Sequence, residues 1–380
     1  MLTILYRWFT STMGTGAVSI LLHNFPYPAR WLYWLSITVF CFEILLFTTL
    51  SMIFVLRFTL YPAQWLTMLN HPTQSLFLAA WPMGFAQIIF MLIYVCSPIW
   101  GHWVTYLAWG LWIFDAVVSV CIILLVPFLH MKIKTHRELA SFTALELFPF
   151  LAAMVASGTG AVVSTALPDP QLALGTVLAS YILMGLSLPM SFIATTIYTQ
   201  RLMLHKLPPR AVVVSVFMPI GPPCMGGIAA IVLGETARDV FPKTESIHPL
   251  AGPVFYNLGI LWALMLWGFA CVWLGLAVMI VYYTKKFEFN LGWWAFTFPV
   301  ALFASVSIKM GEVIPSRFFR VVGAIVAVAV FILWIMVSIM TIRGAVSGKL
   351  FEAPPLSATN GKIEIQKNDI ELAEDTMKDD

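Results

Sequence analysis

The segment Ala79–Gln87, AAWPMGFAQ, places Pro82 and Gly84 almost side by side in an apolar run with no nearby charge. Neither residue suits a helix interior, since proline removes a backbone hydrogen bond and glycine adds conformational freedom to the unfolded chain. The pattern returns in Phe217–Gly227, FMPIGPPCMGG, and in Thr297–Val300, TFPV. A chain that interrupts its own apolar helices at similar depths is organised around whatever those interruptions face.

Working outward from these segments, the 380 residues are 60% hydrophobic and 10% charged, with a mean hydropathy of +0.89. Ordinary soluble domains carry roughly 25% charge. Apolar runs of about 20 residues, each long enough for one hydrocarbon crossing, recur along most of the length, which excludes an ordinary soluble protein and makes the lipid bilayer a partner. Cys41, Cys96, Cys121, Cys224 and Cys271 lie in or beside these runs without paired spacing. They read as small buried side chains, with no metal site, cofactor site or disulfide framework. Met1–Thr15 lacks the ordered features of a cleavable signal, so the first segment is expected to stay. The net charge of +3 comes without a basic patch interleaved with exposed aromatics, which argues against a nucleic-acid partner.

The hydropathy pattern predicts an all-α polytopic membrane protein of ten transmembrane helices. They are expected over Ile4–Asn24, Trp31–Leu56, Leu76–Cys96, Trp103–Leu129, Ser141–Ala166, Leu172–Thr199, Ala211–Leu233, Phe255–Thr284, Gly292–Ile308 and Phe318–Ile342. Arg7 and the series Thr10, Ser11, Thr12 make the first the weakest span. Short loops pair sequential helices as antiparallel hairpins. Loops after even helices hold Arg57, Lys132, Lys134, Arg137, Arg201, Lys206, Arg210, Lys285 and Lys286; those after odd helices hold Arg30, Arg238, Lys243, Lys309 and Arg317. This excess places the even-helix loops, and with ten spans both termini, in the cytoplasm. The chain divides at residue 343: residues 1–343 form the transmembrane domain, and 344–380, with Pro354, Pro355 and ELAEDTMKDD, read as a disordered acidic tail that acts as a solubilising spacer or a regulatory segment.

Interruptions mark every odd helix: Gly14 and Gly16 in the first, Pro82 and Gly84 in the third, Pro149, Gly158 and Gly160 in the fifth, Pro219, Gly221, Pro222 and Pro223 in the seventh, and Pro299 in the ninth. Among even helices, the second, fourth, eighth and tenth are expected to be free of internal proline, and the sixth departs with Pro189. Lipid cannot satisfy the carbonyls and amides that a break exposes, so breaks face protein or a water-filled path. Five hairpins in a ring, odd helices inside, follow from this; kinked packing alone is the competing reading. Helix ends present amides that attract anions without a formal charge.

Glu43, Asp115 and Glu146 stand singly in helices two, four and five. Intramembrane carboxyls mark pathways or partners, and on outer helices Glu43 and Asp115 are expected to hydrogen-bond between helices. Trp31, Trp34, Trp81, Trp100, Trp103 and Trp262 lie near span ends as interface anchors. Phe298 differs, because it directly precedes Pro299 and could plug a narrow path or fill the kink.

FPYPARWL (Phe25–Leu32), WPMG (Trp81–Gly84), LWIFDAVVSV (Leu111–Val120), YYTKKF (Tyr282–Phe287) and GWWAFTFP (Gly292–Pro299) resemble the fungal sulfite efflux pumps of the tellurite-resistance/dicarboxylate transporter family, over roughly Ser11–Ile342. The resemblance implies five hairpins around a central pore, a homotrimer, and a pore-blocking phenylalanine corresponding to Phe298, with Phe296 close by. It also implies export of sulfite or bisulfite across the plasma membrane without covalent catalysis; a dicarboxylate transporter and a small-anion channel are the alternatives within the family. Thr15, Ser157, Thr159 and Thr297 are candidate hydroxyl contacts for the anion, each with a packing alternative, and His23 could bias protonation or be structural. Lys309, Arg317 and Arg320 could steer anions at the exterior mouth, or Lys309 could pair with Glu312. The loop after helix four is shorter than the resemblance leads one to expect for the yeast pump, and this sequence does not show the extended tails of some relatives; both departures are expected to affect regulation more than pore chemistry.

Overall fold

The computed structural model describes residues 5–132, 138–205, 207–208, 210, 212–284 and 289–348. The expected basic residues Lys134, Arg137, Lys206, Lys285 and Lys286, and the expected tail beyond residue 348, lie outside them. All elements among the described residues are helical: α1 (Leu5–His23), α2 (Arg30–Leu60), α3 (Ala63–Leu69), α4 (Ala80–Met91), α5 (Ser97–Trp100), α6 (His102–Lys132), α7 (Phe148–Ala166), α8 (Pro170–His205), α9 (Gly221–Thr244), α10 (Ala251–Thr284), α11 (Trp294–Val313) and α12 (Arg317–Val346). A π-turn, Leu92–Cys96, joins α4 to α5.

Nine helical stretches among the described residues are long and apolar enough to cross a membrane. The tenth expected span, α1, is not one of them, because Arg7 and three consecutive hydroxyl residues dilute its hydropathy. It is nevertheless buried from Phe9 to Leu22. Its hydroxyls are accommodated by local bonds: Thr10, Ser11 and Thr12 donate to the carbonyls of Arg7, Trp8 and Phe9.

Burial separates the stretches into two shells. Ser75–Trp100, Ala144–Ala166, Val213–Thr244 and Leu291–Val313 are 78–100% buried over their most apolar parts, whereas the stretches of α2, α6, α8, α10 and α12 are only 22–39% buried. The inner helices close a ring, since α1 packs on α4, α4 on α7, α7 on α9, α9 on α11, and α11 on α1. Each outer helix buries one stripe against this ring. On α2 the stripe is Leu32, Ser36, Val39, Phe40, Glu43, Phe47 and Leu50, a helical period that turns one face inward.

The prolines do not break inner helices in mid-span, as the sequence had suggested for most of them. Four inner stretches start as 3-10 helix, over Ser75–Ala79, Ala144–Leu147, Val213–Ile220 and Leu291–Trp293, and then pass into α-helix. Pro149, Pro222 and Pro223 fall at the first positions of α7 and α9, Pro82 in the first turn of α4, and Pro219 in the 3-10 segment. Because the residues before them are already helical, these prolines stand at junctions between 3-10 and α winding, where the change of hydrogen-bond register accommodates the missing N–H. Pro299 alone of these lies deeper, within α11. The proline-free expectation for outer helices also fails at the fourth span, where Pro127 sits inside the last turns of α6.

These beginnings gather at one end of the bundle. Phe77 packs on Phe148, Phe217 packs on Phe296, the Arg7 guanidinium lies 5.4 Å from the Phe77 ring, and the 3-10 segments before α7 and α9 touch. Several helices run past their expected ends. α9 continues from Leu233 to Thr244 because Thr236, Ala237, Val240 and Phe241 extend its buried stripe beyond the apolar run, and Lys309, expected in a loop, lies within α11.

Candidate functional site

Toward the end opposite the 3-10 segments, the inner helices enclose a cavity of about 340 Å³. Every inner helix contributes to its wall: Ala17 and Ile20 from α1, Gln87 and Phe90 from α4, Val162 and Thr165 from α7, Met225 and Glu235 from α9, and Leu302, Ser305 and Lys309 from α11. Asn24, immediately after α1, and Tyr94, in the π-turn, line it near its mouth. The π-turn inserts one residue into the helical register, a distortion that recurs at functional sites, and here it carries Tyr94 to the wall.

At the mouth, the Lys309 ammonium is 3.0 Å from the Glu235 carboxylate and 3.6 Å from that of Glu312. The expected pairing with Glu312 is therefore present, but Glu235 is the nearer partner. Arg320 is occupied elsewhere, donating from Nε to the Gly311 carbonyl at 3.0 Å, which ties α12 to the last turns of α11. Arg317 opens α12 and is exposed. His23, the last residue of α1, stacks on Tyr94 at 5.6 Å, and its buried Nδ1 has no hydrogen-bond partner.

Beneath the cavity the ring is packed. Phe298 stands one turn before Leu302 on the same face of α11 as Leu302, Ser305, Lys309 and Glu312, and is 1% exposed. One turn before the lowest wall residues of the other inner helices come Met13, Met83, Gly158 and Gly221, all buried. The level below the cavity thus combines one benzene ring, two flexible thioethers and two residues without side chains. Phe296 lies on another face, packed on Phe217 at 4.8 Å and Trp293 at 5.7 Å.

The remaining predicted residues build the wall from behind. Gly-Thr-Gly-Ala-Val occurs at residues 14–18 and again at 158–162. In each copy the first glycine lets a neighbouring inner helix approach: Gly14 faces Trp294 and Thr297, and Gly158 faces the Met225 methyl. The second glycine makes room for outer-helix side chains, Glu43 at Gly16 and Trp112 with Ser180 at Gly160. Thr15 accepts from the Trp334 indole at 3.1 Å. Ser157 donates to the Ser180 carbonyl at 2.7 Å, Thr159 to Val155 at 2.8 Å and Thr297 to Trp294 at 2.8 Å. These hydroxyls are buried and committed to packing bonds; the hydroxyls that line the cavity are instead those of Thr165, Ser305 and Tyr94, beside the Gln87 and Asn24 amides. Gly84 accommodates Thr12.

The three carboxyls part company. Glu146 precedes α7 and lies 3.4 Å from His130, whose other ring nitrogen is 2.8 Å from the Ser75 hydroxyl, so it joins two inner starts and the end of α6. Glu43 and Asp115 were expected to hydrogen-bond between helices; each is completely buried, and neither oxygen of either has a hydrogen-bond partner. Trp81, expected as an interface anchor, instead stacks on Phe85 and donates to Ser51. Glu235 and Tyr94 escaped the sequence reading, the first because it follows the expected end of its helix and the second because nothing in the local sequence announces a π-turn.

Residues 5–342 match the family model described as voltage-dependent anion channel, SLAC1. The chain is 40% identical over 346 residues to the sulfite efflux pump SSU1 of Arthroderma otae, covering 91% of this chain and 92% of that protein. Similarity to the sulfite efflux pump SSU1 of Trichophyton rubrum is 39% identity over 345 residues, covering 90% and 91%. The malic acid transport protein of Schizosaccharomyces pombe is more distant, at 25% identity over 346 residues, 89% of this chain and 77% of that one.

Proposed function

The chain belongs to the voltage-dependent anion channel family, and on that premise we propose that it exports sulfite or bisulfite across the plasma membrane through the cavity enclosed by α1, α4, α7, α9 and α11. The observation that carries this reading is a cavity walled by all five inner helices, with the buried Phe298 one turn before its wall residue Leu302, in a chain similar to sulfite pumps along nearly all of its length. In this reading α1 is the tenth span, the helices form five hairpins, both termini are cytoplasmic, and the protein assembles as a homotrimer. Residues 1–343 carry transport, and 344–380 form a cytoplasmic tail.

Phe298 acts as the gate, since a hydrophobic constriction excludes ions by size and dewetting. Export begins where the 3-10 segments gather; the anion passes the level of Phe298, enters the cavity and leaves past Lys309. Wall polarity favours a small monoanion over malate. Lys309 is the basic residue among those lining the cavity, and two carboxylates already share it, whereas a dicarboxylate calls for two cationic contacts. Purified protein in liposomes, given sulfite, malate and chloride under matched gradients, tests the assignment. Sulfite flux is the expected result; malate or chloride flux without sulfite flux would overturn it.

A further inference from the structure

Among the described residues Glu43 and Asp115 are the two fully buried carboxyls without a hydrogen-bond partner, and of the two Glu43 lies beside a residue of the cavity wall. It sits at the centre of the buried stripe of α2, is 0% exposed, and has no hydrogen-bond partner for either oxygen. An ionised carboxylate without a partner is among the most costly groups to bury in an apolar interior. Yet the fold makes room for it: a Cβ at Gly16 would meet Glu43 Cδ at 2.5 Å and would also strike Oε1 and Gln87 Cβ. The carboxyl therefore occupies a socket between α1 and α4, left open by the second glycine of the first Gly-Thr-Gly motif. At the matching glycine, Gly160, the outer-helix occupants are a serine and a tryptophan, so the acid is particular to the α1–α4 seam. That seam is also the wall of the cavity, because Ala17, next to Gly16, and Gln87, beside the carboxyl, both line it.

We propose that Glu43 is a proton-exchange site built into the wall of the anion pathway; the proposal rests on the cavity being that pathway. With the seam closed the carboxyl is held as the neutral acid. When the Gln87 side chain moves aside, the Glu43 O–H bond breaks and its proton passes to a cavity water, giving hydronium and a carboxylate. The reverse step restores the acid before the seam closes. Other charges stand apart from it. On α1 the nearest are Arg7 and His23, about two turns or more away along the helix; α4 has no titratable residue, and Tyr94 follows about two turns beyond Gln87; on α2 itself, Arg30 and Arg57 are more than three turns away. The charge at the seam is therefore set by protons from the cavity. Ionised Glu43 disfavours a passing anion, and the neutral acid admits it.

The test uses the full-length protein in liposomes, with wild type, Glu43→Gln and Glu43→Asp. Infrared difference spectra between wild type and Glu43→Gln should show a protonated-carboxyl band belonging to Glu43, lost reversibly as the bath is made alkaline; this arm needs no transport. Sulfite efflux from pH 5 to 8 is measured in parallel, and since sulfite speciation is the same for all three proteins, differences between them report the residue. Glu43→Gln should match wild type at acid pH and exceed it at alkaline pH on the order of threefold, the effect of one like charge about 10 Å away at intermediate screening. Glu43→Asp should keep the pH dependence. No band assignable to residue 43, a band indifferent to pH, or identical pH profiles for wild type and Glu43→Gln would overturn the proposal. A pH-sensitive band in protein that carries no anion would leave the site standing and reject the pathway reading instead. Should Glu43→Gln fail to insert, the band shift between wild type and Glu43→Asp decides the matter.

Discussion

Replacing Phe298 with alanine separates a gate from a core side chain, because loss of a gate raises flux per folded protein whereas loss of a core side chain lowers stability and leaves that flux unchanged. The ring is 1% exposed, so its removal opens on the order of 100 Å³; as a sealed dry void, that would cost about 3–5 kcal/mol. Directly above, however, lies the 340 Å³ cavity, which Leu302 joins to the same helix face. If the new space merges with it, water enters, at about 30 Å³ per molecule, and the void penalty shrinks. The anion then meets a wetted passage in place of a ring. A barrier lowered by about 1.4 kcal/mol raises flux tenfold, and at least that gain is expected from Phe298→Ala, with Phe298→Tyr retaining more restriction. The assay is sulfite efflux from liposomes, normalised to correctly folded and inserted protein, with thermal unfolding measured alongside. Phe296→Ala is the control, since that ring packs on Phe217 and Trp293 away from the cavity face; it should lower stability without raising flux. A well-folded Phe298→Ala with unchanged flux, or a Phe296→Ala that opens equally, would refute the reasoning.

Substitutions at two glycines should diverge. At Gly234 an added Cβ meets Tyr256 Cα at 2.8 Å and Phe255 O at 2.9 Å, so Gly234→Ala must push α9 from α10 and should lower the unfolding temperature by several degrees; Gly158→Ala meets only the mobile end of Met225 and should cost much less. Lys309→Gln leaves Glu235 and Glu312 facing the mouth without their cation, so anion efflux should fall, and adding Glu235→Gln should restore part of it. At His71, burial and then the nearby Arg7 guanidinium hold the imidazole below its ordinary value. The neutral ring is the folded form, its Nδ1 accepting from the Thr73 and Gln74 amides. Since the unfolded chain binds the proton more readily, this turn loses stability as pH falls through the unfolded value near 6.5, and amide exchange at Thr73 and Gln74 should quicken there.

The two shells were legible in the sequence because proline and glycine concentrate where no lipid touches the backbone. Their reason was only half legible. Proline identity does not reveal whether the residue interrupts a helix or marks a change in its winding, and Pro82, Pro149, Pro222 and Pro223 turn out to stand where 3-10 helix passes into α-helix, while Pro127 shows that an outer helix tolerates one near its end. α1 reads as a poor span because hydropathy assumes lipid contact, and α1 has almost none. The pairing of Lys309 with Glu312 was legible from their spacing, but its nearer partner was not, because Glu235 lies on another inner helix beyond the end of an apolar run. The empty side of Gly16 could not be paired with Glu43 from spacing alone, since the two meet only through the packing of α1 on α2.

The 3-10 segments at one end of the inner ring have a mechanical consequence. A 3-10 helix rises about 2.0 Å per residue and an α-helix about 1.5 Å, so a residue that changes from one winding to the other takes up about 0.5 Å. For the eight residues of Val213–Ile220, complete rewinding shortens the segment by about 4 Å and swings the side chains below it around the axis. Such a thread gives when turned, as a straight rod would not, and four of the five staves of this barrel are threaded at the same rim.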